Sequence, residues 1–314
     1  MKIVVTGTRG IPGIQGGVET HCQELYPLIA DEQHEIIVIR RPNYAVERSV
    51  QIYKQVAIKD ISAPRSKHLE AFVHTFKAVI YARKVKADIV HIHAVGPALM
   101  TPVARLLGMK VVITHHGPDY DRDKWGRFAK WILCMGERAG VYYANHIIVI
   151  SEHIRQIIYH QYSAKRNVTL IHNGVNVPTR VIGTEYLESL DLTEYGYVLA
   201  VGRFVKEKNL DQLVEAFTQL SSPSMKLVIA GDADFQDEYA QKLKEVCWKQ
   251  KNICLTGFIK GDKLAQLYTY AKVFVLPSTH EGLPIALLEA MSYGCPVLAS
   301  DIPANKEIGL PDEC

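Results

Sequence analysis

Short apolar runs recur along the whole chain, each followed by a helical stretch, and this alternation restricts the fold more than any other feature. The runs Ile3–Thr6, Ile36–Ile39, Ile89–His91, Val111–Thr114, Ile147–Ile150 and Thr169–Ile171 are rich in β-branched residues and bounded by breakers, so they predict buried strands. Helices are predicted between them, over Val18–Ala30, Ser66–Lys84, Pro97–Leu107, Arg127–Tyr143 and Glu152–His160. A second series follows, with strands at Val198–Val201, Leu227–Ala230, Ile253–Leu255, Val273–Leu276 and Val297–Ala299. Its helices lie near Leu210–Leu220, Asp234–Lys249, Lys263–Tyr270 and Pro284–Ser292. Repeated βα units imply an α/β chain with two doubly wound parallel sheets. Ligands of such sheets bind beyond the carboxyl ends of the strands.

At 314 residues and 48% hydrophobic content the chain can pack two cores. The turn-rich His172-Asn173-Gly174-Val175-Asn176 and the polar, aperiodic 179–195 place the boundary, giving domains 1–178 and 179–314. The net charge of +3 is uneven: residues 1–175 carry 23 Lys/Arg against 14 Asp/Glu, and residues 176–314 carry 13 against 19. The basic first half favours anionic partners such as membrane headgroups or a lipid diphosphate. No aromatic-basic module for nucleic acid is present, so none is expected as a partner. No stretch approaches the ~18 apolar residues of a membrane span, and MKIVVTGTRG reads as a first strand, so a cytoplasmic location is expected. The six cysteines show neither CxxC pairs nor metal-ligand spacing and read as reduced thiols.

Two segments carry the chemistry of the second half. In Pro277–Asp301, PSTHEGLPIALLEAMSYGCPVLASD, Glu281 and Glu289 stand eight apart across a loop-to-helix junction, with Gly282, Leu283 and Pro284 between them. A helix N-terminus suits a phosphate, with Glu281 at that end, and Glu289, more than one turn inside, suits a sugar hydroxyl. Gly202-Arg203-Phe204-Val205-Lys206-Glu207-Lys208-Asn209 follows a strand and offers two cations. Gly231-Asp232 and Gly257-Phe258-Ile259 also end strands.

With its flanks, the Glu-x7-Glu pattern resembles the donor-site signature of family 4 glycosyltransferases, retaining enzymes of the GT-B fold. Gly202–Asn209 is similar to that family's GR-x4-KN element. The resemblance implies two Rossmann-like domains facing across a cleft. It assigns Arg203 and Lys208 to the donor diphosphate, Glu281 and the loop Gly282-Leu283-Pro284 behind it to the donor sugar, Glu289 to the ribose, and Gly257, Phe258 and Ile259 to the base. His172–Asn176 is similar to an NGV-D element, with Asn176 in place of the usual aspartate, and reads as a turn. After Asp301 the family pattern would continue with a strand and several helices. Only IPANKEIGLPDEC remains, so the second domain is expected to be incomplete at its C-terminus.

In the first half, Gly7-Thr8-Arg9-Gly10-Ile11-Pro12-Gly13 follows a strand and Gly16-Gly17-Val18-Glu19-Thr20 opens a helix. The spacing is not GxGxxG, and Arg40-Arg41 ends the second strand where an acid would bind ribose; a 2′-phosphate is the minor reading. By the resemblance, Gly16 and Gly17 let backbone amides reach the donor phosphate. The run GTRGIP-x-x-x-GG-x-E is similar to a rhamnosyltransferase-like subgroup of polysaccharide-assembly enzymes. Glu19, Thr20 and His93 are acceptor-side candidates. Thr114-His115-His116-Gly117 matches the family's T-x-H-G, which puts His116 beside the reacting sugar; imidazole can donate to a hydroxyl or share a developing proton. Asp119, Asp121 and Asp123 read as a solvated acidic loop. In the segment 64–86, Leu69, Phe72, Val73, Phe76, Val79 and Ile80 are expected to pack on the sheet. Its cations, Arg65, Lys67 and His68 among them, would remain outside, where they could face lipid.

The function these features imply is transfer of a hexose from a nucleotide sugar to a saccharide acceptor, lipid-linked, at the inner face of a membrane, with no metal or other cofactor. The alternatives are a nucleotide-sugar epimerase on the same fold and a non-catalytic interaction protein.

Overall fold

A computed structural model of the chain describes residues 1–64, 69–122, 125–162, 167–178, 183–220, 224–234 and 237–309. The chain divides into two compact units, Met1–Asn173 and Gly174–Cys314. The first contains β1 (Lys2–Thr6), α1 (Gly17–Ile29), β2 (Glu35–Arg40), β3 (Ile52–Tyr53), β4 (Val56–Asp60), α2 (Glu70–Lys84), β5 (Ile89–His93), α3 (Thr101–Leu106), β6 (Lys110–His115), α4 (Arg127–Tyr143), β7 (His146–Val149), α5 (Glu152–Tyr162) and β8 (Val168–Leu170). The second contains α6 (Glu185–Ser189), β9 (Tyr197–Val201), α7 (Leu210–Thr218), β10 (Lys226–Ala230), α8 (Glu238–Trp248), β11 (Ile253–Gly257), α9 (Asp262–Tyr270), β12 (Val273–Leu276), α10 (Ile285–Ser292), β13 (Val297–Ala299) and α11 (Pro303–Lys306).

The first sheet runs β3-β4-β2-β1-β5-β6-β7-β8, parallel except for the β3–β4 pair, and the second runs β11-β10-β9-β12-β13, parallel throughout. The β3–β4 hairpin is absent from the sequence reading. Its two-residue turn is Lys54-Gln55, both at positive φ, rather than the Asn-Gly that advertises such a turn.

Because strand side chains alternate, β1, β2 and β4 each feed two cores, one on either face of the first sheet. Val4, Ile37, Val90, Ile92, Val111 and Ile113 pack with α2 and α3. Val5, Ile36, Val38 and Ile58 pack with Cys22 and Tyr26 of α1. The second unit is likewise divided, between a cluster around Leu199, Phe274 and Leu287 and another around Ala200, Leu227 and Phe217.

Helix α2 corrects one expectation. Its sheet-facing residues are Thr75, Ala78, Val79 and Ala82, whereas Leu69, Phe72, Phe76 and Ile80 are exposed. Small residues let the helix approach the sheet closely, and the large apolar ones are left outside. Arg65, Lys67, His68 and Asp123 lie outside the described residues. Among the described residues, no helix is long and apolar enough to cross a membrane.

Candidate active site

Strand alternation also sorts the histidines. On β5, Val90 and Ile92 face α2, so His91 and His93 face α1. At the end of β6, its last residue His115 and the following His116 turn to opposite sides. His115 Nε2 lies 2.9 Å from Glu137 of α4, and its Nδ1 accepts the Gly117 N–H at 3.1 Å. That acceptance fixes the tautomer, so Nε2–H donates to the carboxylate. Tyr162 donates to the other Glu137 oxygen at 2.7 Å. Burial pushes the Glu137 carboxyl up, but the bonds from His115 and Tyr162 outweigh it and hold the group below its usual range.

His116 joins the α1 side. A continuous chain runs from Thr114 Oγ1 to His91 Nε2 (2.8 Å), His91 Nδ1 to Tyr26 Oη (2.8 Å), Tyr26 Oη to His93 Nε2 (2.6 Å), and His93 Nδ1 to His116 Nε2 (2.9 Å). His93 stacks between His91 and His116, with centroids 4.4 and 5.2 Å away, and His21 meets His116 edge-on at 5.4 Å. Burial lowers the pKa of His91 to about 3 and holds His93 and His116 well below the ordinary value, with neighbouring imidazoles adding to the effect. All three are therefore neutral near pH 7, and burial keeps the Tyr26 proton in place.

Neutral rings leave two ways to fill the chain. If Tyr26 donates to His93, then His93 donates to His116, and His116 carries its proton on Nδ1. If Tyr26 donates to His91, every bond reverses and His116 Nδ1 is bare. His116 can thus present either a donor or an acceptor at Nδ1 without gaining charge. Tyr26 is the residue the sequence reading lacked; only its helical spacing to Cys22 marks it as inward-facing.

The glycine loop sits at the head of the same helix. Gly7 has φ +92°, and a Cβ there would lie 2.1 Å from the His93 carbonyl oxygen, so this glycine is needed for strand packing. Gly16 is the residue before α1, where a Cβ would meet the Glu19 carboxylate. A Cβ on Gly17 would meet nothing within 4 Å. The Glu19 carboxylate is buried and accepts from the Thr8 hydroxyl (3.1 Å) and the Arg9 N–H (3.0 Å), holding the loop. Thr20 is half-buried in the first turn, its N–H on the Gly16 carbonyl. Arg40 is buried on Asp60 (2.7 and 3.0 Å) and on the carbonyls of Glu47, Arg48 and Val50. Arg41 is buried near Glu70. Both arginines are structural, which removes the basis for the 2′-phosphate reading. Asp119 pairs with Arg122 at 2.9 Å.

In the second unit the strand-end residues form ion pairs. Lys208 reaches Glu281 at 2.5 Å, and Arg203 reaches Asp234 at 2.7 Å. Lys208 is the last residue of a 3-10 turn (Lys206–Lys208) capped by the left-handed Asn209 (φ 54°), and its stem runs over Gly202. The Thr279 N–H bonds the Glu207 carbonyl at 2.9 Å, tying the loop before α10 to that turn. Gly282 is half-buried, Leu283 is buried, and Pro284 stands just ahead of α10, where the first amides have no intrahelical acceptor. Glu289 accepts from Tyr268 at 3.0 Å, and Tyr268 stacks on Tyr293. Gly257 (φ +69°) closes onto Gly231 through a 2.8 Å backbone bond, with Phe258 exposed and Ile259 half-buried beyond it. The structure thus brings Arg203, Lys208 and Glu281 into linked loops, and it adds Asp234, which lay in no motif.

Two sequence patterns match the chain: Glycosyltransferase Family 4 over residues 15–178, and Glycosyl transferases group 1 over residues 185–313. An uncharacterized glycosyltransferase of Methanocaldococcus jannaschii is 27% identical, covering 98% of this chain and 82% of the relative. The UDP-Gal:alpha-D-GlcNAc-diphosphoundecaprenol alpha-1,3-galactosyltransferase of Escherichia coli is 25% identical over 97% of this chain and 81% of its own length. Among solved structures, Anabaena Alr3699/HepE in complex with UDP-glucose superposes with a TM-score of 0.78 at 17% identity, covering 98% of this chain and 82% of that one. That likeness establishes the GT-B fold.

Proposed function

Since the chain belongs to glycosyltransferase family 4, we propose that it moves a hexose, with retention, from a nucleoside diphosphate sugar to a hydroxyl of a lipid-linked saccharide during polysaccharide assembly. The observation that carries this reading is the pairing of Lys208 with Glu281 beside Arg203. Two cations on one loop match a diphosphate, and the carboxylate held by one of them matches the hydroxyls of the attached sugar. The uridine nucleotides in the names of the galactosyltransferase and of the Anabaena complex support UDP as the leaving group.

The ion pairs suggest how binding arms the site. The four side chains sum to zero charge when empty. A diphosphate draws Lys208 away from Glu281, and the released carboxylate then accepts from the donor sugar. Arg203 exchanges Asp234 for phosphate in the same way. In the transfer, the bond between the anomeric carbon and the β-phosphate oxygen breaks while the acceptor oxygen attacks from the same face. The acceptor proton passes to the departing phosphate, giving a glycoside and a nucleoside diphosphate. Fixed cations neutralise the leaving group as charge develops, so no metal is required. Glu289 takes the ribose, and Gly257, Phe258 and Ile259 the base. In the first unit the Gly16 and Gly17 amides meet phosphate, His116 supports the reacting sugar, and Glu19, Thr20 and His93 shape the acceptor side. With a lipid-linked acceptor the reaction runs at the cytoplasmic face of a membrane.

A thermal-shift screen with UDP, dTDP, GDP and ADP tests the donor site. Stabilisation by one of them, undiminished by EDTA, is expected. Mass analysis of products then decides the reaction: an enlarged acceptor is transfer, whereas an isomerised free sugar formed without acceptor overturns the proposal.

A further inference from the structure

Helices α2, α3 and α4 pack side by side in the first unit. They are seated by small residues: Thr75, Ala78 and Ala82 on α2, Gly136 and Gly140 on α4. A Cβ on Gly136 would stand 2.3 Å from the Val95 carbonyl oxygen, and one on Gly140 2.7 Å from Ile113. Neither helix can roll to hide its other side. That side carries large apolar residues at helical spacing: Phe72, Phe76 and Ile80 on α2, and Phe128, Trp131 and Met135 on α4, with Phe128 73% and Trp131 59% exposed. Leu106 of the intervening α3 is 87% exposed.

Charge repeats the pattern. The three helices hold seven Lys/Arg and two acids, and both acids, Glu70 and Glu137, are buried. Lys77, Arg105, Lys130 and Arg138 all reach the surface. By contrast, α8 in the second unit shows solvent a mixed-sign face, with Lys242 on Glu238 at 2.6 Å. The three helices thus expose aromatic side chains and cations and turn their own two carboxylates inward, a surface complementary to an anionic amphiphile. Aromatic rings suit the headgroup region, and cations gain from a negative surface.

We propose that the outward face of α2, α3 and α4 docks on a bilayer containing anionic lipid. Its purpose rests on the lipid-linked acceptor proposed above, but binding is measured without turnover, so the two readings fail separately. The test is co-sedimentation of the whole chain with vesicles of phosphatidylcholine alone, and of phosphatidylcholine with phosphatidylglycerol. Binding to the second only, weakened by salt, is expected. Lys130→Gln/Arg138→Gln should weaken it roughly 25-fold, about fivefold per cation. Phe128→Ser/Trp131→Ser should weaken it at every salt concentration, and Lys242→Gln/Lys249→Gln should leave it unchanged. Because all six positions are at the surface, thermal melts should show every variant folded. Equal binding to both vesicles, no binding by folded protein, or equal effects of the control pair overturn the proposal. So does a dimer in sedimentation velocity that Phe128→Ser/Trp131→Ser dissolves, which would assign the face to a second copy.

Discussion

Beneath α1, five side chains from Thr114 to His116 share protons without carrying charge; in the loops after β9, β10 and β12, four side chains carry two charges of each sign and cancel them. Both groups stand near the carboxyl ends of parallel strands, yet they satisfy their polar atoms by opposite means. The first can change which atom holds a proton at constant charge. The second can change which anion a cation holds. A site that must orient hydroxyls gains from the one, and a site that must receive a diphosphate from the other. The difference predicts that charge substitutions act mainly on the second unit's binding and turnover, and proton-chain substitutions mainly on the first unit's stability.

The largest effect should come from Arg203→Ala and Lys208→Ala. Each removes a cation from the developing leaving-group charge, and turnover should fall about 10²–10³-fold. Initial rates with the donor identified by thermal shift check this. Unchanged transfer in either variant would remove that residue from the diphosphate site.

Acid should separate the two units next. Burial holds His74 and His91 at about 3 and lowers His93 and His116, while the unfolded chain titrates near 6.5. Between these values the unfolded state binds more protons, so stability is complete above about 6.5 and is lost as pH falls toward about 3. Glu137, held below its usual range, acts in the same direction. The second unit holds one histidine, His280. Hydrogen exchange during acidification should therefore show unit one loosening first; simultaneous loss would mean that the histidines are not buried neutral.

Tyr26→Phe is a smaller and more local test. It leaves His91 and His93 each short of a partner in a buried layer, at a cost of about 1–3 kcal/mol in urea unfolding. It also uncouples the rings, so nitrogen NMR should find the His91 and His93 tautomers no longer linked. A tautomer pattern identical to that of the unsubstituted protein would break the proton-chain account.

How much of this was legible in sequence follows from distance along the chain. All eleven predicted strands fall on observed ones, because apolar runs between breakers are a local signal. The strand-end residues followed from the rule that places ligands there. Their pairings did not: Tyr26 lies 67 residues from His93, Asp234 lies 31 from Arg203, and Glu281, itself read as a site residue, lies 73 from Lys208. Pairings of that kind are made by the sheet and not by spacing. The outward stripe of α2 was misjudged because amphipathicity gives a face but not which way it turns; the small residues opposite decided that. Glu19, an acceptor-side candidate by position, has its carboxylate on the glycine loop, a contact that needs the turn at Gly16 to exist.

Gly17→Ala has the smallest effect on folding and sharpens the comparison most. At Gly7, positive φ and the His93 carbonyl leave no room for a side chain, so substitution there tests only the fold. At Gly17 the space is open and the residue begins α1. Alanine favours a helix over glycine by up to about 1 kcal/mol, so the urea midpoint should hold or rise slightly. If the amides at this turn meet the donor phosphate, the new methyl stands where that phosphate must come. Donor stabilisation in the thermal shift should then fall while the unliganded melt does not. Equal nucleotide shifts in Gly17→Ala and the unsubstituted chain would confine donor recognition to the ion-pair loops of the second unit. The glycine pair would then be a helix start and nothing more.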